Sequence, residues 1–247
     1  MPKEKQNSER RNPVNPEVYS VAVAGTFSEK LAFGVRHRIY RKLAETLDLE
    51  SMESVLDVGA TADRKMAYSN YFEANYPWPE RVTALSDQDA SWMEEIWKGL
   101  RFVKGDGCSL PFPEHSFDLV FSSAVIEHVG GSERQKKLIS ECYRVARKAV
   151  FITTPNRMHP AELHTALPFL HWLPKKWHRK ILEKIGYHKL AREENLNLLT
   201  VRELHQFCSV LGIPRPEILH VSFLGFPSNL LLLIRKDPGK TASPDPS

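Results

Sequence analysis

Four groups of residues in this 247-residue sequence have the types and spacing to do chemistry. Asp57-Val-Gly59 ends a short apolar run, and Asp63 follows four residues later. A carboxylate at a strand end can hold an amine, and a glycine lets the backbone approach a ligand closely. Gly105-Asp106-Gly107-Cys108 sets a second carboxylate between glycines. Glu127-His128 places a histidine beside an acid. That pair suits a general base for a hydroxyl or an acidic carbon, and it equally suits a helix opening that only shapes a pocket. Arg157, His159, Glu162 and His164 form the fourth group. Spacings of three and two do not bring His159, Glu162 and His164 onto one helical face, so substrate contact or packing of the cap is expected there and no metal site.

These groups need elements to hold them. Ser54–Gly59, Arg81–Leu85, Arg101–Lys104, Phe117–Ser122 and Ala149–Thr153 read as five short buried strands. Helical patterns alternate with them. Thr26-x-x-Glu29 caps a helix carrying Leu31, Val35, Ile39, Leu43 and Leu47, and Asp63–Asn75 and Gln88–Trp97 follow. Ser132-x-x-Gln135 starts a helix to about Arg147, and Thr200-x-x-Glu203 starts one that ends at Leu211-Gly212. The closing runs Glu217–Phe223 and Asn229–Ile234 are separated only by Leu224–Ser228, too short for a crossover helix. The expected fold is therefore α/β: a mostly parallel seven-stranded sheet with a terminal antiparallel hairpin and helices on both faces. In such a sheet ligands bind at the carboxyl ends of the strands, which is where all four groups fall.

Hydrophobic residues at 42% and charged residues at 26% exclude wholesale disorder and a small disulfide scaffold. The three cysteines, Cys108, Cys142 and Cys208, lack paired spacing and suit a reducing compartment. No stretch approaches the roughly 18 apolar residues of a membrane span, so a cytoplasmic protein is expected. Residues 1–16 and 236–247 are polar and proline-bearing and are expected to be disordered, leaving one domain over 17–235 with residues 155–195 as a helical cap insertion. The formal charge of +4 concentrates in that cap, where seven basic residues between Pro155 and Leu190 face only Glu162 and Glu183. Phe169, Trp172 and Trp177 interleave with Lys175, Lys176 and Lys180. Residues 165–185 thus suit either packing on the domain with solvated lysines or peripheral contact with a membrane interface.

The run Gly105-Asp-Gly, Leu110-Pro-Phe-Pro, Ser116-Phe-Asp-Leu-Val-Phe-Ser122 and Ile126-Glu-His-Val129, behind the Asp57-Val-Gly59 turn, resembles the class I S-adenosylmethionine-dependent methyltransferases. The similarity is to their type-11-like small-molecule branch and covers residues 50–155 and the terminal hairpin. It implies a Rossmann-like sheet, S-adenosylmethionine as cofactor, and methyl transfer to oxygen or carbon of a small-molecule, saccharide or lipid-linked acceptor. Carried over, it gives Asp57, Gly59 and Asp63 to the methionine part, Asp87 to the ribose, and Asp106, Gly107 and Cys108 to the adenine. Ser123 and Ala124 would line the pocket near the methyl group, with Glu127 and His128 as candidate catalytic residues and Arg157, His159 and His164 as acceptor contacts. The sequence departs from the family in two places. Gly59 is followed by Ala60-Thr61-Ala62 instead of further glycines, and Ser86 holds the strand end where the ribose-binding acid normally stands.

Rival readings have specific requirements. A nicotinamide enzyme needs G-x-G-x-x-G, of which one glycine is present. A nucleic-acid base methyltransferase is expected to show Asn- or Asp-Pro-Pro-aromatic where Ser-Ser-Ala-Val stands, and the basic cap holds no recognised RNA-binding motif. A methyltransferase fold without activity, used as a binding module, stays open because of the missing glycines.

Overall fold

The structure, a computed structural model, describes residues 27–64, 70–161 and 167–236. The Thr26-Glu29 cap, Glu162, His164, the 1–16 arm and nearly all of the 236–247 tail lie outside these residues.

Helix α1 (Phe27–Thr46) precedes strand β1 (Val55–Val58), and α2 (Tyr71–Asn75), β2 (Val82–Ser86), α3 (Met93–Ile96) and β3 (Arg101–Lys104) follow. Then come β4 (Phe117–Ser123), α4 (Ser132–Val145), β5 (Ala146–Pro155), α5 (Lys175–Lys184), α6 (Val201–Val210) and the hairpin β6 (Glu217–Phe223) and β7 (Phe226–Arg235). The seven strands lie in the order β3-β2-β1-β4-β5-β7-β6, with β7 antiparallel to both neighbours. The order reverses between β1 and β4, the crevice where open α/β sheets take ligands.

Alternation along the strands divides the core in two. Val55, Leu119, Phe121 and Phe151 pack beneath Ile39 and Leu43 of α1, Phe72 of α2 and Met93 of α3. Leu56, Val58, Val120 and Val150 pack beneath Leu138 and Cys142 of α4 and Leu204 and Cys208 of α6. Asp118, inside the family-like motif, sits at the opposite, amino edge of the sheet. There it is buried, accepts the Glu53 N–H at 3.0 Å and faces Lys148 at 3.0 Å.

Several boundaries differ from expectation for local reasons. Residues 65–69 of the expected Asp63–Asn75 helix lie outside the described residues, and the Asn70 side chain accepts from the Thr61 N–H (2.9 Å) and donates to the Thr61 carbonyl (3.0 Å), tying α2 to the first turn. Asp89 accepts the Ser91 N–H at 3.0 Å, a local turn that shortens the Gln88–Trp97 pattern to the single turn of α3. Gly131, not Ser132, occupies the N-cap of α4, because the Gln135 amide is turned toward the Ile126 and Asn197 carbonyls. The hairpin loop is only Leu224-Gly225, and a register shift after Val221 admits Pro227 into the β7 edge pairing. Thr200 and Glu203 do form the reciprocal capping box. Among its described residues the cap is helical in α5 and in a 3₁₀ turn at Leu170–Trp172, and it has its own small core of Leu182, Leu190, Leu196 and Leu198.

Candidate functional site

Parallel register carries Gly59, Asp87, Gly105, Ala124 and Asn156 to one edge of the sheet. At its centre, the Gly59 and Ala60 N–H groups both donate to the Leu85 carbonyl, at 2.8 and 3.1 Å, which curls the β1 turn toward β2. Gly59 has φ +94°, and a Cβ there would lie 2.2 Å from Val125 Cγ2. Val125 comes from the loop after β4, whose first residue, Ala124, is itself at φ +56°. The Ala124 N–H donates to the Thr153 carbonyl at 2.9 Å and keeps it there. Left-handed backbone at a non-glycine residue costs on the order of 1 kcal/mol, and it is concentrated where a loop must be aimed.

Under the turn lies a buried polar cluster. The β1 alternation points Asp57 toward α2, where it meets Glu73, and both carboxylates are buried. Asp57 is therefore covered, beneath the turn that the resemblance gives to the methionine part. Burial, and then the neighbouring Glu73, push Asp57 well above the usual carboxylate range; burial likewise raises Glu73. The two carboxyl groups are within hydrogen-bonding reach of each other, so a proton held between them is what keeps charge out of the interior. The Tyr71 hydroxyl donates to Ser123 Oγ at 2.9 Å, and Ser123 Oγ lies 2.9 Å from Thr153 Oγ1. Because the folded-state acids hold their proton more tightly, the pair supports folding below the ordinary carboxylate pKa. That support is lost as pH rises through the raised values. Glu73→Gln is expected to flatten the dependence, with a Tm above wild type at pH 8 and a smaller difference at pH 4.5. A wild-type Tm that does not fall between those pH values relative to the variant would contradict the shared proton.

Asp106 stands at the crevice, half exposed. Its Oδ1 accepts the Cys108 N–H at 2.9 Å, and Arg134 Nη2 of α4 reaches its two oxygens at 3.2 and 3.0 Å. Partial burial raises its pKa, but the Cys108 N–H and the Arg134 guanidinium outweigh this and leave it below the usual range. Asp106 is thus an anion already shared with an arginine. A Cβ on Gly107 would come within 2.8 Å of both Leu138 and Val58, so this glycine serves close packing of the loop. Burial pushes the Cys108 thiol up to about 11, which makes it a wall and not a nucleophile. Asp87 follows β2 directly and is exposed, while buried Ser86 accepts the Gln88 N–H through its hydroxyl. The Asp63 N–H donates to Thr61 Oγ1 at 3.3 Å at the far end of the first turn.

Glu127 and His128 face inward. Glu127 is fully buried and accepts from Thr154 Oγ1 at 2.9 Å. His128 Nδ1 lies 2.6 Å from the Asn195 carbonyl, and since a carbonyl only accepts, Nδ1 carries the hydrogen. Nε2 lies 4.0 Å from Glu127 Oε1, and the side chain is only 8% exposed. The histidine joins the loop after β4 to the distal end of the cap. Asn197 strengthens the same joint, donating its N–H to the Glu127 carbonyl (2.7 Å) and its side-chain N–H to Gln135 Oε1 (3.0 Å), while accepting from Lys175 Nζ (2.8 Å). Arg157 and His159, expected at the acceptor, are engaged within the cap. The Arg157 guanidinium donates to the His171 and Leu173 carbonyls at 3.2 and 2.9 Å. Buried His159 lies between Ala161 and the Phe223 carbonyl of the hairpin. Among the described residues no group of three His, Cys, Asp or Glu side chains could hold a metal ion.

The strand ends thus assemble Gly59, Asp87, Asp106, Ser123 and Ala124 around one crevice, with Asp57 beneath it and Glu127, His128, Arg157 and His159 withdrawn into the cap joint. Arg134, Glu73, Tyr71 and Asn197 are the participants that sequence reasoning passes over, since none stands in a motif. A sheet with this strand order, a ligand crevice at β1/β4 and a closing antiparallel hairpin defines a class I methyltransferase fold.

Residues 56–153 match the family described as Methyltransferase domain, and the fold around them is that of the class I S-adenosylmethionine-dependent methyltransferases. Over 157 residues it is 29% identical to the Oryza sativa subsp. japonica chloroplastic 2-methyl-6-phytyl-1,4-hydroquinone methyltransferase 2, spanning 56% of this chain and 42% of the relative's length. Among solved structures, the Thermotoga maritima S-adenosylmethionine-dependent methyltransferase, a possible histamine N-methyltransferase, superposes with TM-score 0.52 at 15% identity, covering 85% of this chain and 92% of that one. The Synechocystis magnesium protoporphyrin IX methyltransferase with bound S-adenosylhomocysteine gives 0.54 at 14% identity, covering 90% and 92%.

Proposed function

We propose that this protein, over a single domain at residues 17–235, transfers the methyl group of S-adenosylmethionine to oxygen or carbon of a small-molecule, saccharide or lipid-linked acceptor. The observation that carries the reading is the positive-φ Gly59 turn at the strand-order switch, flanked by Asp87 and Asp106 at successive strand ends. The donor set fits the cofactor: an exposed acid for ribose hydroxyls, an ionised acid for an amino group, and a backbone turn without a side chain. Val125, which overlies Gly59, must swing aside to admit a ligand there. Bound S-adenosylmethionine supplies an electrophilic methyl group on a sulfonium. The chain's own part is to hold and align, with the Tyr71–Ser123–Thr153 hydroxyl chain bracing the strand ends from beneath and the cap excluding water. A reducing, cytoplasmic setting belongs to the same proposal, supported by three free buried thiols.

Titration calorimetry tests the reading first. S-adenosylhomocysteine is expected to bind with one site per chain and to bind at least tenfold more weakly in Asp106→Ala. Absence of binding at millimolar ligand would leave a binding module without methyltransferase activity.

His128 is assigned as a positioning residue in this scheme. His128→Asn retains a donor toward the Asn195 carbonyl and is expected to keep kcat within about tenfold of wild type, with an unaltered pH profile. A loss of a hundredfold or more, with the acidic limb of the profile removed, would make it the general base instead.

A further inference from the structure

Two residues defy the preferences of backbone and of solvent at once. Leu224 opens the turn between β6 and β7 at φ +52°, ahead of Gly225 at φ +81°. A two-residue hairpin turn with both φ values positive favours Asn-Gly. Here the first position is leucine, 78% exposed. Phe169 repeats the pattern in the cap, at φ +59° and 53% exposed. Folding explains neither choice, because such positions favour glycine or asparagine and water favours a polar side chain. Strain combined with apolar exposure marks a surface with another use.

The two are on one face. The His159 ring lies 6.5 Å from Phe226, and its backbone carbonyl accepts from His171 Nε2 at 2.7 Å. The Phe169 N–H donates to the Pro160 carbonyl at 2.8 Å, and its ring lies 4.9 Å from Trp172. Met158, Phe169, Trp172, Trp177, Leu224 and Phe226 are all exposed, and the β6–β7 turn that carries Leu224 and Phe226 lies beyond the carboxyl end of β5, where Pro155 pairs with Asn229. Helix α5, KKWHRKILEK, carries five basic residues, of which Lys175 and Arg179 pair with Glu203 and Glu193 and Lys176, Lys180 and Lys184 remain on the other sides of the helix. Its period puts Lys180 and Lys184 on the side of Trp177, and Lys180 Nζ lies 5.8 Å from that ring. Aliphatic turn tips, tryptophans and a row of lysines match the layers of an anionic bilayer surface: acyl boundary, interface and phosphate. Protruding tips suit insertion better than they suit a flat protein partner. No described helix is long and apolar enough to cross a membrane, so the contact is peripheral.

We propose that this face docks on anionic bilayers and that the acceptor is an amphiphile presented there. The acceptor half rests on the methyltransferase reading; the docking half does not. The test is flotation of the full chain with phosphatidylglycerol/phosphatidylcholine vesicles. The protein is expected to float at low salt, with a blue shift of tryptophan emission, and to be released at high salt. Leu224→Asn and Phe169→Gly suit the left-handed backbone, so each should keep or raise Tm while lowering partitioning about tenfold. Absence of flotation at low salt, or flotation unchanged in both variants, overturns the docking face. So does self-association in light scattering that the same variants abolish, since the face would then be a protein interface. Calorimetry with S-adenosylhomocysteine on the same samples separates the two readings. Cofactor binding without flotation sinks docking alone, and flotation without cofactor binding sinks the transfer reading and the amphiphilic acceptor with it.

Discussion

Gly59→Val is expected to eliminate S-adenosylhomocysteine binding, by at least a hundredfold, and to lower Tm. Two independent obstacles act at this position. The new Cβ would stand 2.2 Å from Val125 Cγ2, a separation no carbon pair tolerates, and φ +94° is a conformation that β-branched residues avoid. They can be separated. Val125→Ala removes the clash and is expected by itself to bind cofactor as well as wild type or better, since it clears the side chain overlying the turn. Gly59→Ala combined with Val125→Ala retains the backbone strain, of about 1–2 kcal/mol, and a 3.2 Å approach to the remaining Cβ of residue 125, and should fold while binding roughly tenfold more weakly. A Gly59→Val protein with unchanged Tm and unchanged Kd would remove this turn from the cofactor site.

What could be read from the sequence, and what could not, divides by distance along the chain. Strands β3 and β6 fall on the expected residues, and the Thr200–Glu203 capping box forms as its four-residue spacing indicates. The hairpin follows from the shortness of its loop. Each of these signals is contained within a few residues. Gln135, by contrast, looked like the acid-amide partner of a Ser132 cap. Its actual partner, Asn197, is 62 residues away, and no local pattern announces it. Asp106 was legible as a carboxylate at a strand end, but not as one shared with Arg134, 28 residues on. Asp57 was placed at the right turn, yet its side chain points beneath the sheet edge because it alternates with Leu56 and Val58, which face α4. Alternation was available in the sequence and decides the matter; the partner it finds, Glu73, stands in α2, where no local pattern pairs it with Asp57. Arg157 and His159 carry the right chemistry for an acceptor, and what the sequence does not announce is that their ring and guanidinium nitrogens meet the His171, Leu173, Ala161 and Phe223 carbonyls.

Asn197 is where that long-range structure bears on function, and Asn197→Leu is the substitution that should expose it. The residue is 1% exposed and joins three parts of the molecule: the Glu127 carbonyl of the β4 loop, Gln135 of α4 and Lys175 of α5. Leucine keeps the backbone N–H bond to Glu127 but leaves Gln135 Oε1 without its donor and weakens the hold on Lys175, which keeps Glu203 at 2.9 Å. Stranding buried polar groups costs roughly 1–3 kcal/mol each. The sheet cores do not include this joint, whereas the small cluster of Leu182, Leu190, Leu196 and Leu198 hangs on it. The cost should therefore fall on the cap, with amide exchange accelerating across residues 170–199 while the strands stay protected. Asp87, Asp106 and the Gly59 turn are untouched, so S-adenosylhomocysteine affinity is expected to stay within about threefold. Methyl transfer, once an acceptor is in hand, should fall by about a hundredfold, because the segment that carries Asn195 no longer fixes His128 and closes over the crevice. Gln135→Ala should act through the same joint and be strongly non-additive with Asn197→Leu in a double-mutant cycle. If transfer survives Asn197→Leu while exchange in the cap accelerates, closure of the cap is not part of catalysis, and the acceptor must be aligned by the strand ends alone.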